Sequence, residues 1–133
     1  MSRSPMAGSF RPAERIIVPV QGTDREFIAQ QWAVEFAAAL GVPVLALHVS
    51  PPGKAPDAAV FSFIDEASIK WGVTLQKELL VGDNVVDELV SEIKPRDLVI
   101  IGTRHLGGRY HMGSVALDLI QRARSPVQVV RIE

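Results

Sequence analysis

Arg104, His105, Arg109 and His111 stand among four glycines, Gly102, Gly107, Gly108 and Gly113, in the stretch DLVIIGTRHLGGRYHMGSV at residues 97–115. Cationic side chains on a glycine-loosened backbone are suited to holding an anion. The stretch opens in a branched apolar run at residues 98–101 and closes on Gly113-Ser114, where a helical pattern begins. Free amides at a helix N-terminus, with the positive end of its dipole, favour phosphate or carboxylate. Glycine lets the backbone approach closely and reach φ > 0. Gly102, Arg104, His105, Gly113 and Ser114 are accordingly the candidate binding residues of this loop. Other chemistries fit it less well. His105 and His111 are six apart with neither a cysteine nor a carboxylate pair beside them, a poor metal set. Ser114 lacks a Gly-x-Ser-x-Gly elbow and a His/Asp partner, so a triad hydrolase is not indicated. No catalytic residue and no metal ligand is assigned.

Composition narrows the context of that loop. A chain of 133 residues, 47% hydrophobic and 22% charged, can bury one substantial core. A formal net charge of −1 lacks the basic footprint of a nucleic-acid binder. With no cysteine, disulfides, thiolate chemistry and Cys-based zinc sites are excluded, which fits a cytoplasmic protein. No apolar run reaches the ~18 residues that span a membrane. Residues 1–13 are rich in Ser, Pro, Gly and Arg, without the apolar segment of a signal peptide. They are expected to be a flexible lead-in to one domain over residues 14–133.

The elements that must position the loop follow in order. Residues 15–20 (RIIVPV) are apolar on both faces, as in a central strand of a parallel sheet. Thr23 and Glu26 form a capping box for a helix to about residue 40, with Ile28, Trp32, Phe36 and Leu40 spaced as its inward stripe. Gly41 suits its end and Pro43 forbids continuation. A second apolar strand covers 43–49, followed by the loop SPPGKAP. Asp57 caps a helix to residue 71 that carries Val60, Ile64 and Trp71 inward. Residues 73–81 alternate, with Gln76, Lys77 and Glu78 marking a wetter edge strand. A third helix runs from Asn84 to about Ile93, a fourth strand from Asp97. A short helix over 114–123 uses Ala116, Leu119, Ile120 and Ala123, and the last strand covers 127–132. The rhythm is β-α-β-α-β-α-β-α-β, the signature of βαβ units in a parallel three-layer α/β fold.

In such sheets ligands bind beyond the carboxyl ends of the strands, where strand order reverses. The first and fourth strands are the most continuously apolar and make the best central pair. Their crevice would be lined by Gln21, Gly22 and Thr23, by Val49 and Ser50, and by the 102–114 loop. Of the remaining residues, His48 reads as a satisfied core histidine, and Trp32 and Trp71 as core packing rather than base-stacking platforms. Asp97 reads as orienting the entry to the fourth strand, and Asp83, Asp87, Glu88 and Glu92 as a dipole-favoured helix start and a solvated face.

The motifs PVQGT after the first strand, LHV ending the second, DLVIIGTRHLGG, GSV and the terminal SPVQVV, spanning about residues 14–132 in order, resemble the universal stress protein family. The resemblance implies an adenine nucleotide alpha hydrolase-like fold, five parallel strands in the order 3-2-1-4-5 with four helices. It implies homodimers pairing through the last strand, here Val127, Val129 and Val130. In ATP-binding members an Asp after strand 1 and backbone after strand 2 hold the adenosine, and a Gly-x2-Gly-x9-Gly-Ser/Thr loop holds the phosphates. Carried over, these positions are Pro19, Val20, Gln21, Gly22, Thr23, Val49, Gly102, His105, Gly113, Ser114 and Val115. Here the carboxylate is replaced by the Gln21 amide, the second glycine by His105, and the loop is two residues short. Arg104, Arg109 and His111 supply charge that could compensate. The expected function is binding ATP, another adenine nucleotide or an anionic metabolite in a stress or regulatory role, with Mg²⁺ only if ATP is bound. The alternatives are a non-binding dimerisation or regulatory module with a protein partner, such as a transporter, and a slow ATPase.

Overall fold

The computed structural model describes residues 13–21, 27–55, 57–106, 109–111 and 114–131. The sequence rhythm is realised as five parallel strands: β1 (Arg15–Pro19), β2 (Val44–Ser50), β3 (Leu75–Val81), β4 (Asp97–Gly102) and β7 (Val127–Val130), in the order β3-β2-β1-β4-β7. Two short strands, β5 (Arg104–Leu106) and β6 (Arg109–His111), form a separate antiparallel ladder within the basic loop. The loop is therefore a hairpin standing on the end of β4, an element not expected from the sequence. The helices are α1 (Phe27–Leu40), α2 (Ser62–Trp71), α3 (Val85–Glu92) and α4 (Ser114–Arg122).

Strand alternation sorts the core into two layers. Ile16, Val18, Val44, Ala46, Ile100 and Val130 face α1 and α2. Ile17, Leu45, Leu47, Val99 and Ile101 face α3 and α4, joined there by Leu89 and Leu119. Full burial of each such side chain stabilises by roughly 1.5–3 kcal/mol, so the doubly covered strands dominate the fold's energetics. Among the described residues β3 pairs only with β2, and it exposes most of its own, as its alternation foretold. Helix ends follow the expected chemistry. Gly41 and Gly72 adopt φ +69° and +67°, the left-handed region that ends a helix cheaply only at glycine. Asp57 accepts from the Ala59 amide at 2.9 Å, capping a 3-10 turn (Ala58–Phe61) that leads into α2. Asn84 accepts from the Asp87 amide at 3.0 Å to cap α3. The capping box expected at Thr23 lies outside the described residues, as do residues 1–12.

Three packing expectations are corrected. The inward face of α1 is Ala29, Gln30, Ala33, Val34 and Ala37, while Ile28, Trp32 and Leu40 are 42%, 49% and 37% exposed. Small side chains let α1 lie close to β1 and β4, and this turns its bulky stripe onto a flank. Phe36 stays half-buried on that flank, 5.5 Å from the Trp32 ring. Trp71 ends α2 exposed rather than inward, because Ile64, Ala67 and Ser68 take the sheet-facing positions. On α4, Ala116 and Leu119 are buried, whereas Ile120 is 42% exposed.

Candidate functional site

The crevice originates in a backbone property of one residue. The amides of Ile16 and Val20 donate to the carbonyls of Pro43 and Leu47 in β2. By alternation the nitrogen of Pro19 faces β4, where it has no hydrogen to give. The β1–β4 ladder duly stops at Ile17↔Val99, although β1 continues to Pro19 and β4 to Gly102. The hydrogen-bonded ladder between the two central strands thus ends at the point where strand order reverses.

Each wall of this opening is held from behind. Val20 is buried, and its carbonyl accepts a hydrogen bond from Nδ1 of His48 at 2.7 Å. A carbonyl only accepts, so Nδ1 carries the proton. His48 is half-buried at the end of β2 rather than deep in the core, and it fixes the exit of β1; sequence reading found its satisfaction but not this post. Gln21, next along, is exposed. On the β2 wall the odd-numbered carbonyls of Pro43 and Leu47 face β1. Val49 shares that orientation, with its carbonyl aimed past the end of β1 and its side chain in the α3/α4 layer. Ser50 is buried and its carbonyl accepts from the Gly82 amide at 3.1 Å, tying this wall to β3.

On the β4 wall, Gly102 pairs with Val130 in ordinary strand geometry. The positive-φ glycines of the described residues are Gly41, Gly53 and Gly72, so Gly102 contributes small size rather than unusual torsion. Thr103 follows, 5% exposed, its amide donating to the Val130 carbonyl at 2.8 Å. Its Oγ1 is buried without a hydrogen-bond partner. Such an orphan costs roughly 1–3 kcal/mol. The hairpin then sets Arg104 opposite His111, His105 opposite Tyr110 and Leu106 opposite Arg109. The four cationic-type residues thus come from two paired strands rather than from an irregular loop. Helix α4 starts at Ser114, and Val115 packs half-buried into the rear layer.

Pro19, Val20, Gln21, Val49 and Gly102 lie at the carboxyl ends of the neighbouring strands β1, β2 and β4, while Arg104 and His105 follow β4 on the hairpin and Ser114 and Val115 open α4. Gly22, Thr23 and Gly113 lie outside the described residues. Shifted ionisations are at the opposite end of the strands. Arg15 donates from Nε and Nη2 to Asp97 at 3.0 and 2.8 Å, and that hydrogen bonding raises its pKa against the opposing effect of burial. Glu92 is raised by burial first and then by the charge of Glu78 and a hydrogen bond with it. Glu92 is therefore not a freely solvated carboxylate. Asp97 is 3% exposed and also accepts from the Lys94 amide at 2.7 Å, so it orients the entry to β4 as expected. These shifts belong to an ionic clamp far from the crevice. Among the described residues no group of three or more His, Cys, Asp or Glu could hold a metal ion.

Three comparisons bear on this geometry. The family model described as the universal stress protein family matches residues 12–131. A universal stress protein of Methanocaldococcus jannaschii is 29% identical over 140 residues, covering 89% of this chain and 82% of its own. Among solved structures, a universal stress protein in complex with cAMP is 25% identical with TM-score 0.73, covering 91% of this chain and 98% of the other. One from Archaeoglobus fulgidus in complex with dAMP is 28% identical with TM-score 0.65, covering 90% and 97%.

Proposed function

The chain belongs to the universal stress protein family, and from that premise we propose that it binds an adenine nucleotide in the crevice between β1 and β4, as a regulatory signal rather than a substrate. Its fold is the adenine nucleotide alpha hydrolase-like one, with five parallel strands in the order expected. The observation that carries the reading is the early end of the β1–β4 ladder at Ile17↔Val99, on the strand that leads through Thr103 into a hairpin bearing Arg104, His105, Arg109 and His111. Relatives with cAMP and dAMP support an adenine nucleotide as the class. In this reading Pro19, Val20, Gln21, Gly22, Thr23 and the backbone of Val49 face the nucleoside. Gly102, Arg104, His105, Gly113, Ser114 and Val115 surround the phosphate.

Two features favour a single phosphate over a triphosphate. The loop is two residues shorter than the phosphate motif, and His105 replaces its second glycine. Gln21 accepts a hydrogen bond from a ribose hydroxyl through its amide oxygen, without the charge assistance of a carboxylate. Mg²⁺ enters only with a triphosphate. Thermal unfolding with AMP, cAMP and ATP, with and without Mg²⁺, tests the reading. A ligand at 100 times its Kd adds about 2.7 kcal/mol, and AMP or cAMP is expected to raise Tm more than ATP does. No shift with any of them at millimolar concentration would instead favour a non-binding regulatory module, the reading to which the lost carboxylate at Gln21 points. Gln21→Asp is expected to tighten binding of the nucleoside. Phosphate release from ATP above the level of Gly113→Val would revive an ATPase.

The same reading includes a homodimer through β7. Among the described residues this strand pairs only with β4. The carbonyls of Pro126 and Val130 face β4, accepting from Val99 and Thr103. Alternation then turns the backbone groups of Val127 and Val129 outward along an open edge, available to an antiparallel copy. No helix of the described residues is long and apolar enough to cross a membrane.

A further inference from the structure

We propose that Gln30, on the inward face of α1, reads the polar edge of the nucleobase. The role rests on the nucleotide reading above and adds to it a residue that lies outside every sequence motif. Gln30 is 0% exposed, set among Ala29, Ala33, Val34 and Ala37. Among the described residues, neither its amide nitrogen nor its amide oxygen has a hydrogen-bond partner. Its neighbours on that helix face are all apolar. A methionine or leucine of similar volume would fill the place without leaving a donor and an acceptor unmet. An unmet buried amide weakens the fold, so its use is to be sought in what it meets when the crevice is occupied.

Chain geometry sets the height of Gln30 in its layer. Residues 41–43 alone join the end of α1 at Leu40 to the start of β2 at Val44. From Leu40 back to Gln30 the helix rises about 15 Å, the length of roughly four to five strand residues. Gln30 therefore stands near the level of His48, which the pairing of Ile16 with Val44 makes also the level of Val20. Val18 and Val20 face the α1 layer, as does His48 by alternation from Ala46. Around the helix, Phe27 marks the side of α2, its ring stacked 4.5 Å from that of Phe63, and Trp32 marks the exposed side. At about 100° per residue Gln30 falls roughly 60° from Phe27 and almost opposite Trp32, which turns it toward the exit of β1. There the ladder with β4 has already stopped. Gly102, level with Val20 when that register is continued and on the same face as Ile100, brings no side chain between. Chemistry then selects the ligand group. A primary amide offers one acceptor and two donors. The exocyclic amine of adenine and the ring nitrogen beside it present the converse pair, the match by which glutamine recognises adenine in nucleic acids. Away from water such bonds discriminate strongly, because a base without the amine leaves the amide unmet.

Calorimetry of the full chain with AMP and with purine riboside 5′-monophosphate, which lacks only the amine, tests the role. The wild type is expected to bind AMP roughly tenfold or more tightly than the purine nucleotide. Gln30→Met keeps the volume and removes the amide. In that variant the ratio is expected to fall to about one through loss of AMP affinity, while the urea midpoint without ligand stays at or above that of the wild type. A Gln30→Met protein that keeps the wild-type ratio overturns the inference. So does a lower urea midpoint with AMP affinity unchanged, which would make the amide a satisfied structural group. In the wild type the side-chain NH2 resonances of Gln30, assigned by through-bond NMR, are expected to shift with AMP and much less with the purine nucleotide. Equal shifts sink the role even if Gln30→Met fails to fold. A wild type that binds both nucleotides equally removes the role of Gln30 and leaves the crevice reading standing. One that binds neither removes both.

Discussion

Asp97 gathers three hydrogen bonds, two from Arg15 and one from the Lys94 amide. Its role was legible because a carboxylate entering an apolar strand needs partners, although its partner across the sheet was not. Asp97→Asn keeps the shape and loses the charge. It is expected to cost about 2–3 kcal/mol in urea unfolding, the range of a charged hydrogen bond left half made. Glu92 belongs to the same end of the sheet. Burial and Glu78 raise its pKa in the folded state, so the native protein holds that proton more tightly than the unfolded chain. Its contribution is favourable below the ordinary carboxylate range and is lost as pH rises through the raised value. Glu92→Gln should therefore match the wild type in acid and exceed its Tm at neutral pH. Equal Tm values across the whole range would remove Glu92 from this account. His48 was half legible: its hydrogen bond was foreseen, while its place at the rim of the crevice depends on the register of β2 against β1.

Elements were readable in proportion to their covering. β1, β2 and β4, enclosed on both faces, announced themselves as unbroken apolar runs, and β3 as an alternating edge. Helix α1 defeats a reading by size, because its largest apolar residues, spaced four apart, lie on a flank, whereas close contact with the sheet selects Ala29, Ala33 and Ala37. That inversion is measurable. Ala33→Leu is expected to destabilise by about 1–3 kcal/mol through overpacking. Trp32→Gln, at an exposed position, should stay within roughly 0.5 kcal/mol of wild type. A large loss from Trp32→Gln would mean the stripe is covered after all. The β5–β6 hairpin escaped notice because three-residue strands are too short for a period, and glycine and arginine suggested irregular loop.

At the scale of the molecule, the parallel sheet followed from the spacing of the apolar runs, the central place of β1 and β4 from their unbroken apolar sequence, and the strand order from the family resemblance alone. What sequence could not convey is why the crevice opens, since this depends on which side of β1 the nitrogen of Pro19 faces. Replacing Pro19 with Val restores an N–H directed at β4. Extension of the ladder toward Ile100 is expected, with weaker nucleotide binding by calorimetry and a Tm at least that of the wild type. Helix α4 links the crevice to the rest of the particle. It is nine residues long, begins where the phosphate is proposed to sit, and packs Ala116 and Leu119 into the layer that holds Val127 and Val129 of the β7 edge. A ligand at the helix start and a neighbouring subunit on that edge would thus bear on one packed unit, and their affinities would be reciprocal. A nucleotide that tightens assembly tenfold must itself be held tenfold more tightly by the assembled form, about 1.4 kcal/mol in either direction. The concentration of the protein would then act as a second input to the signal it reads.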